Sequence, residues 1–194
     1  MKKLSTTSDD ILASARNLIV AGGYNGFSYA DIAEVVGIRK ASIHHHFPAK
    51  ADLVRTLVAG YREGARAGIA EMERSIPQPI DQLRAYVAYW TKCIGDGTAP
   101  FCVCALLASE LPIVPDDVAA EVKGFFRTLS TWLASVLERG AQLGEIRLAS
   151  SPQVEADAFM ATVHGAMLSA RAFGDPTLFE TIMTPQLQRL AAPR

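Results

Sequence analysis

The sequence predicts an all-α protein: a small three-helix unit at the N-terminus, a connecting helix, then a larger helical bundle. Three observations carry this. Apolar residues recur at three-and-four spacing along almost the whole chain, alternating strand patterns are nearly absent, and Gly or Pro punctuates the periodic runs. With 194 residues, 49% hydrophobic and 20% charged, the chain can bury a sizeable core.

The elements follow in order. Ile11, Leu12, Ala15, Leu18 and Ile19 share one face of a first helix that stops at Gly22-Gly23. Ser28 then reads as an N-cap with Asp31 at N3, and Phe27 and Ile32 have the spacing of a hydrophobic staple. This second helix is short, and Gly37 ends it as a left-handed residue. A third runs from about Arg39 to His46, and Pro48 permits a fourth that continues to about Ser75. Beyond Pro77 and Pro79, helices are expected over 80–94, 101–111, 117–140, 152–173 and 177–191, with Ser151-Pro152 as an N-cap and N1 pair.

Composition excludes several classes. No run approaches 18 uninterrupted apolar residues, so a transmembrane helix is not expected. The N-terminal MKKLSTTSDD has two lysines without an apolar run behind them, which reads as a cytoplasmic protein without a signal peptide. Three cysteines argue against a disulfide framework. There is no HExxH, nucleophile motif or Gly-rich phosphate loop, which disfavours an α-helical enzyme, and no cofactor is implied. Net charge is −1, but residues 1–60 carry seven Lys/Arg against five Asp/Glu and hold three of the four histidines.

The second and third helices, joined by a glycine turn and supported by the first, suggest a helix-turn-helix. Ile43 and Phe47, four apart, can face inward. Lys40 with His44, Ala41 with His45, and Ser42 with His46 then fall on the other faces. Consecutive helical residues point about 100° apart, so His44, His45 and His46 cannot converge on one metal from one helix. Catalysis would need an adjacent acid or nucleophile, and none is present. Cations, a hydroxyl, a small residue and imidazoles on one exposed helix suit a groove of acceptors flanked by phosphates.

Residues Gly26 to Leu53, GFSYADIAEVVGIRKASIHHHFPAKADL, resemble the DNA-binding domain of TetR-type transcriptional repressors. The carrying motifs are Ile32-Ala33, Gly37-Ile38, Ser42-Ile43-His44-His45-His46-Phe47 and Lys50-Ala51-Asp52-Leu53. Two positions depart from the family pattern. His44 replaces the usual tyrosine, and Ala49 stands where a Ser often caps the fourth helix, which would weaken that start by roughly 1 kcal/mol. The resemblance implies a helix-turn-helix DNA-binding domain over 1–50 and a ligand-binding and dimerisation domain over 51–194. It places Lys40, Ala41 and His44 at base edges. Ser42, His45, His46, Lys50 and Tyr29 are implied on phosphates, followed by Ser28 and Thr7. Protonating the histidines would then tighten DNA binding as pH falls from 8 toward 6; an affinity flat over that range would refute this.

The same resemblance implies a one-component regulator, a repressor, binding a palindromic double-stranded operator as a homodimer and released by a small-molecule effector. Helices 117–140 and 152–173 are the expected dimer seam, with Ala156, Ala161, Gly165, Ala166 and Ala170 permitting close approach; internal packing is the alternative. The fourth helix would be the lever between the two functions. A ligand pocket is expected among Tyr86, Tyr89, Trp90, Cys93, Cys102, Phe125, Met160, His164 and Met167, although aromatics at helical spacing are also simply core. Cys102, near a helix N-terminus, and Cys104 leave three readings open: inert buried thiols, redox or electrophile sensing, and half a metal site.

Overall fold

The computed structural model describes residues 7–192; residues 1–6, which hold both lysines of the N-terminal reading, and 193–194 lie outside them. Among the described residues there are nine helices: α1 (Thr7–Gly22), α2 (Tyr29–Val36), α3 (Lys40–His46), α4 (Lys50–Ser75), α5 (Pro79–Gly95), α6 (Val103–Ser109), α7 (Asp116–Gln142), α8 (Pro152–Phe173) and α9 (Thr177–Leu190). Extended pairing among them is limited to one isolated bridge, Ile146 to Ala191. The all-α expectation is met. The sixth helix is shorter than the expected 101–111, because the chain turns at Glu110, whose N–H donates to Leu107 O, just before Pro112.

The chain forms two compact units. The first comprises residues up to Glu63 together with Val103–Phe125; the second comprises Gly64–Cys102 and Phe126 onward. The first unit thus contains residues 51–63 and 103–125, beyond the sequence division at residue 50.

In the first unit, α1 packs on α2, α3 and α6, and α2 on α3. Ile11, Ile19, Ile32, Ile43 and Leu53 are fully buried there. Each burial of such a side chain contributes about 1.5–3 kcal/mol, which holds these short helices together where propensity alone would not. Gly26 closes the α1–α2 turn: a Cβ there would lie 2.1 Å from the Gly22 carbonyl oxygen, so only glycine fits. In the second unit, α9 packs on α5 and α8. Leu83, Leu133, Phe159, Met167 and Phe179 form its buried centre.

Candidate nucleic-acid interface and effector region

The α2–α3 pair is set by local chemistry. Ser28 caps α2, accepting from Ala30 N–H at 3.2 Å, and Asp31 accepts back from the Ser28 N–H at 2.6 Å, so the capping box is complete. The Ser28 hydroxyl, which also donates to Asp31, and then the Ser28 N–H hold the Asp31 carboxyl below its ordinary range. Gly37, at φ 74°, adopts the left-handed conformation and donates to Ala33 O, ending α2. The chain then turns into α3, whose seven residues make a cylinder about 10 Å long, short enough to lie in a major groove about 12 Å wide.

On α3 the inward residues are those expected: Ile43 is fully buried and Phe47, its C-cap, is buried. Lys40, Ala41, Ser42, His44, His45 and His46 are all exposed. His44 is oriented. Its ring packs edge-on against Tyr29, centroids 4.8 Å apart, and Nδ1 lies 3.3 Å from Pro48 O. A proton on Nδ1 shared with that carbonyl leaves Nε2 facing outward: an acceptor in the neutral ring, a donor in the cation.

Three expected contact residues are engaged within the unit. Tyr29 is buried, and its hydroxyl donates to Phe47 O at 2.9 Å, tying α2 to the end of α3. Burial, aided by Asp52 and Tyr24, pushes its phenol up to about 12, so it keeps the proton it donates. The Lys50 ammonium donates to Phe27 O and lies 4.0 Å from the centre of the Phe27 ring; partial burial lowers its pKa, opposed by Asp31 and Glu110. The Ser28 hydroxyl, although exposed, donates to Asp31 at 2.8 Å.

In the second unit, Tyr86 and Trp90 lie one turn apart on α5, and the Tyr86 ring meets Trp132 of α7 at 5.4 Å. Met167 is fully buried; Met160 and His164 are partly exposed on α8, with His164 5.1 Å from Phe126. Tyr89 is 54% exposed, outside the core. Phe125 belongs to the first unit, where its ring lies 5.4 Å from Tyr61. A cleft of about 530 Å³ in the second unit is lined by Arg84, Arg147, Thr184, Leu187, Gln188, Ala191 and Ala192, none of them an expected pocket residue.

The thiol-sensing alternative is corrected by burial. Cys93, Cys102 and Cys104 form no disulfide and are buried, the last two completely. Cys102 does directly precede α6, but a sensor needs an accessible thiolate. Of the small residues expected to open the α8 seam, Ala161 and Gly165 are exposed, whereas Ala156, Ala166 and Ala170 face their own unit's core. The exposed stripe on α8 is Val154, Ala158, Ala161, Gly165, Leu168 and Ala172.

Residues 11–57 match the family model "Bacterial regulatory proteins, tetR family", and residues 79–185 match "Tetracyclin repressor-like, C-terminal domain". The chain belongs to the TetR family. It is similar to a crystal structure of a TetR-family transcriptional regulator from Agrobacterium tumefaciens: 60% identity, TM-score 0.93, covering 95% of this chain and 97% of that one. It is also similar to a TetR transcriptional regulator structure from Legionella pneumophila, at 29% identity and TM-score 0.86, covering 98% and 100%. The curated transcriptional regulator AcuR of Cereibacter sphaeroides is 26% identical over 156 residues, 77% of this chain and 69% of AcuR. The chain is accordingly a DNA-binding transcriptional regulator and not an enzyme, and none of its described helices is long and apolar enough to cross a membrane.

Sequence reasoning missed how this TetR protein braces its first unit. Glu110, just after α6, accepts from the Tyr24 N–H at 2.8 Å. Arg62 pairs with Glu121 at 3.2 Å and Arg55 with Asp117 at 3.5 Å, joining α4 to the start of α7. These partners lie 59 to 86 positions apart, so no local pattern announces them. In the second unit Arg139 reaches Gln82 at 3.0 Å and Ser135 at 2.7 Å, satisfying a buried glutamine that helical periodicity would not select.

Proposed function

We propose that this regulator is a cytoplasmic repressor that binds a near-palindromic operator as a homodimer and is released by a small-molecule effector. Residues 1–50 supply the DNA contacts, and 51–194 hold the effector and the dimer seam. The observation that carries this is the sorting of α3, with Ile43 and Phe47 inward and six polar or small residues exposed. Lys40, Ala41 and His44 meet base edges. Ser42, His45 and His46 meet phosphates, and Tyr29 and Lys50 hold the helix from behind, within reach of the backbone.

One such helix reads too few bases, so two copies must present theirs about 34 Å apart. The seam is formed by helices 117–140 and 152–173. The outer stripe of α8 supports it, since small and apolar side chains there allow two helices to approach closely. Release is a population shift: the effector binds better to the conformer whose recognition helices are wrongly spaced. The Arg55–Asp117 and Arg62–Glu121 pairs support α4 as the transmitting element, because any displacement of α7 pulls on it.

The test is fluorescence anisotropy on DNA flanking the protein's own gene, across a salt series. Nanomolar, competitor-resistant binding with a steep salt slope, weakened by Lys40→Ala, supports the reading. Sequence-blind binding there and in a random-sequence selection would refute it.

A further inference from the structure

The chain has two tryptophans, and the structure leaves both in the same condition. Trp90 on α5 is 4% exposed and Trp132 on α7 is 6% exposed. Neither indole Nε1 has a hydrogen-bond partner in good geometry among the described residues. Buried indole N–H groups normally find an acceptor, because leaving one bare forfeits its hydration without return. One orphan would be a local imperfection. Two, on different helices, flank the same side chain.

That side chain is Tyr86. Its ring meets Trp132 edge-on, and its hydroxyl interacts with the Trp90 indole without satisfying the Nε1 donor. Tyr86 itself is only partly buried, so of the three rings it is the one that solvent meets. Nearby, Cys93 and Cys102 are buried thiols, adding soft surface. The charge environment is equally specific. Burial dominates the upward shift of the Tyr86 phenol, and the other influences on it come from Cys102, Trp90 and Tyr89. Arg139, which reaches Gln82 a turn before Tyr86, is already held by Glu73 and Ser135.

We propose that Trp90 and Trp132 form the polar end of the effector site, and that the effector is a small, uncharged, mostly apolar molecule carrying a carbonyl-type acceptor. This rests on the effector-released regulator proposed above and names its ligand class. A ketone, ester or amide oxygen has two lone pairs and accepts both N–H donors at once. A carboxylate entering the same place would be stripped of water, with Arg139 already engaged by Glu73 and Ser135. A plain hydrocarbon would leave both donors bare.

The test uses the ¹⁵N-labelled full chain, whose indole region contains two resonances, assigned with Trp90→Phe. Cyclohexanone, methylcyclohexane and cyclohexanecarboxylate are titrated as matched probes. Cyclohexanone is expected to move both indole protons downfield with one shared midpoint. Trp90→Phe and Trp132→Phe each weaken that midpoint about fivefold, the scale of one neutral hydrogen bond, while amide dispersion verifies the fold. Indoles that do not respond, as when trapped water already satisfies them, overturn the proposal. So does an equal response to methylcyclohexane, or tighter binding of the carboxylate.

A parallel arm adds cyclohexanone to the protein on its flanking DNA. Indole binding with DNA release supports the assignment. Indole binding without release of specifically bound DNA overturns the effector role. A protein that shows both indole shifts but never binds DNA specifically refutes the regulator reading and leaves the carbonyl site supported.

Discussion

Tyr29→Phe separates two roles for one side chain. The sequence pattern places Tyr29 on a phosphate, whereas the structure gives its proton to the Phe47 carbonyl at 2.9 Å, in a buried setting. Removing the hydroxyl deletes one hydrogen bond and leaves that carbonyl without this donor. The net cost of such a loss is about 1–2 kcal/mol. For a chain of this size that lowers a urea midpoint by roughly half a molar, compared at equal protein concentration because a dimer's stability depends on it. Affinity for DNA should also fall several-fold, since Phe47 is the C-cap of α3 and its tether to α2 is lost.

The alkaline limb gives an independent reading. The folded phenol sits at about 12, above its unfolded value near 10. A group raised in this way contributes stability that is fully present below pH 10 and lost as pH climbs toward 12. Tyr29→Phe should lack that share of the alkaline loss. An unchanged urea midpoint together with weakened DNA binding would refute the brace and return Tyr29 to the phosphate.

Three further outcomes are expected. Gly37→Ala places a side chain at φ 74° with no neighbour within 4 Å, so the cost is backbone alone, about 1 kcal/mol; calorimetry should show a melting temperature lower by about 2–4 °C, and an unchanged value would count against it. Glu110→Ala strips the acceptor from the Tyr24 N–H and should destabilise by about 1–2 kcal/mol in urea, whereas Glu110→Gln, which keeps an acceptor, should largely restore it. Arg189→Met removes the partner that, more than the Ala149 N–H, holds the buried Glu155 carboxyl below its ordinary range. Stability from such a lowered carboxyl is present above about pH 4.5 and lost as pH falls through the folded value, so the variant should cost about 2 kcal/mol at pH 7, a difference that shrinks as the pH is taken down through the folded value.

What the sequence made legible is what short-range chemistry decides. The Ser28–Asp31 box, the left-handed Gly37 and the inward pair Ile43–Phe47 each depend on residues at most four apart, and the structure has all of them. Ala49 shows how a local defect is repaired locally: lacking a serine cap, α4 still begins at Lys50, and Asp52 accepts from the Ala49 N–H at 3.2 Å. Tyr29 is ambiguous in sequence because an aromatic hydroxyl at a helix start fits both a phosphate and a buried carbonyl, and the carbonyl it meets here, Phe47 O, is brought beside it only by folding. Partners such as Glu110 and Tyr24 were invisible for the same reason, being brought together by packing alone.

Helix α8 shows where periodicity runs out. A helix with one apolar face announces its orientation, but α8 carries an apolar stripe on its exposed side as well. Ala156, Phe159, Val163, Ala166 and Met167 are buried in their own unit, while Val154, Ala158, Ala161, Gly165 and Leu168 are exposed on the other side. Apolar surface on two sides of a helix is expected where both are covered, and folding of a single chain covers only one of these. The choice of which alanines face inward is made by α9, which packs on α8, and no spacing rule within α8 contains that information. The uncovered half calls for a second partner. The second copy of the chain that we propose supplies one with the same small side chains, and a polar residue placed mid-stripe tests it. Gly165→Glu should shift sedimentation from dimer to monomer, while the inner face of α8 keeps each copy folded; a persisting dimer would place the seam elsewhere.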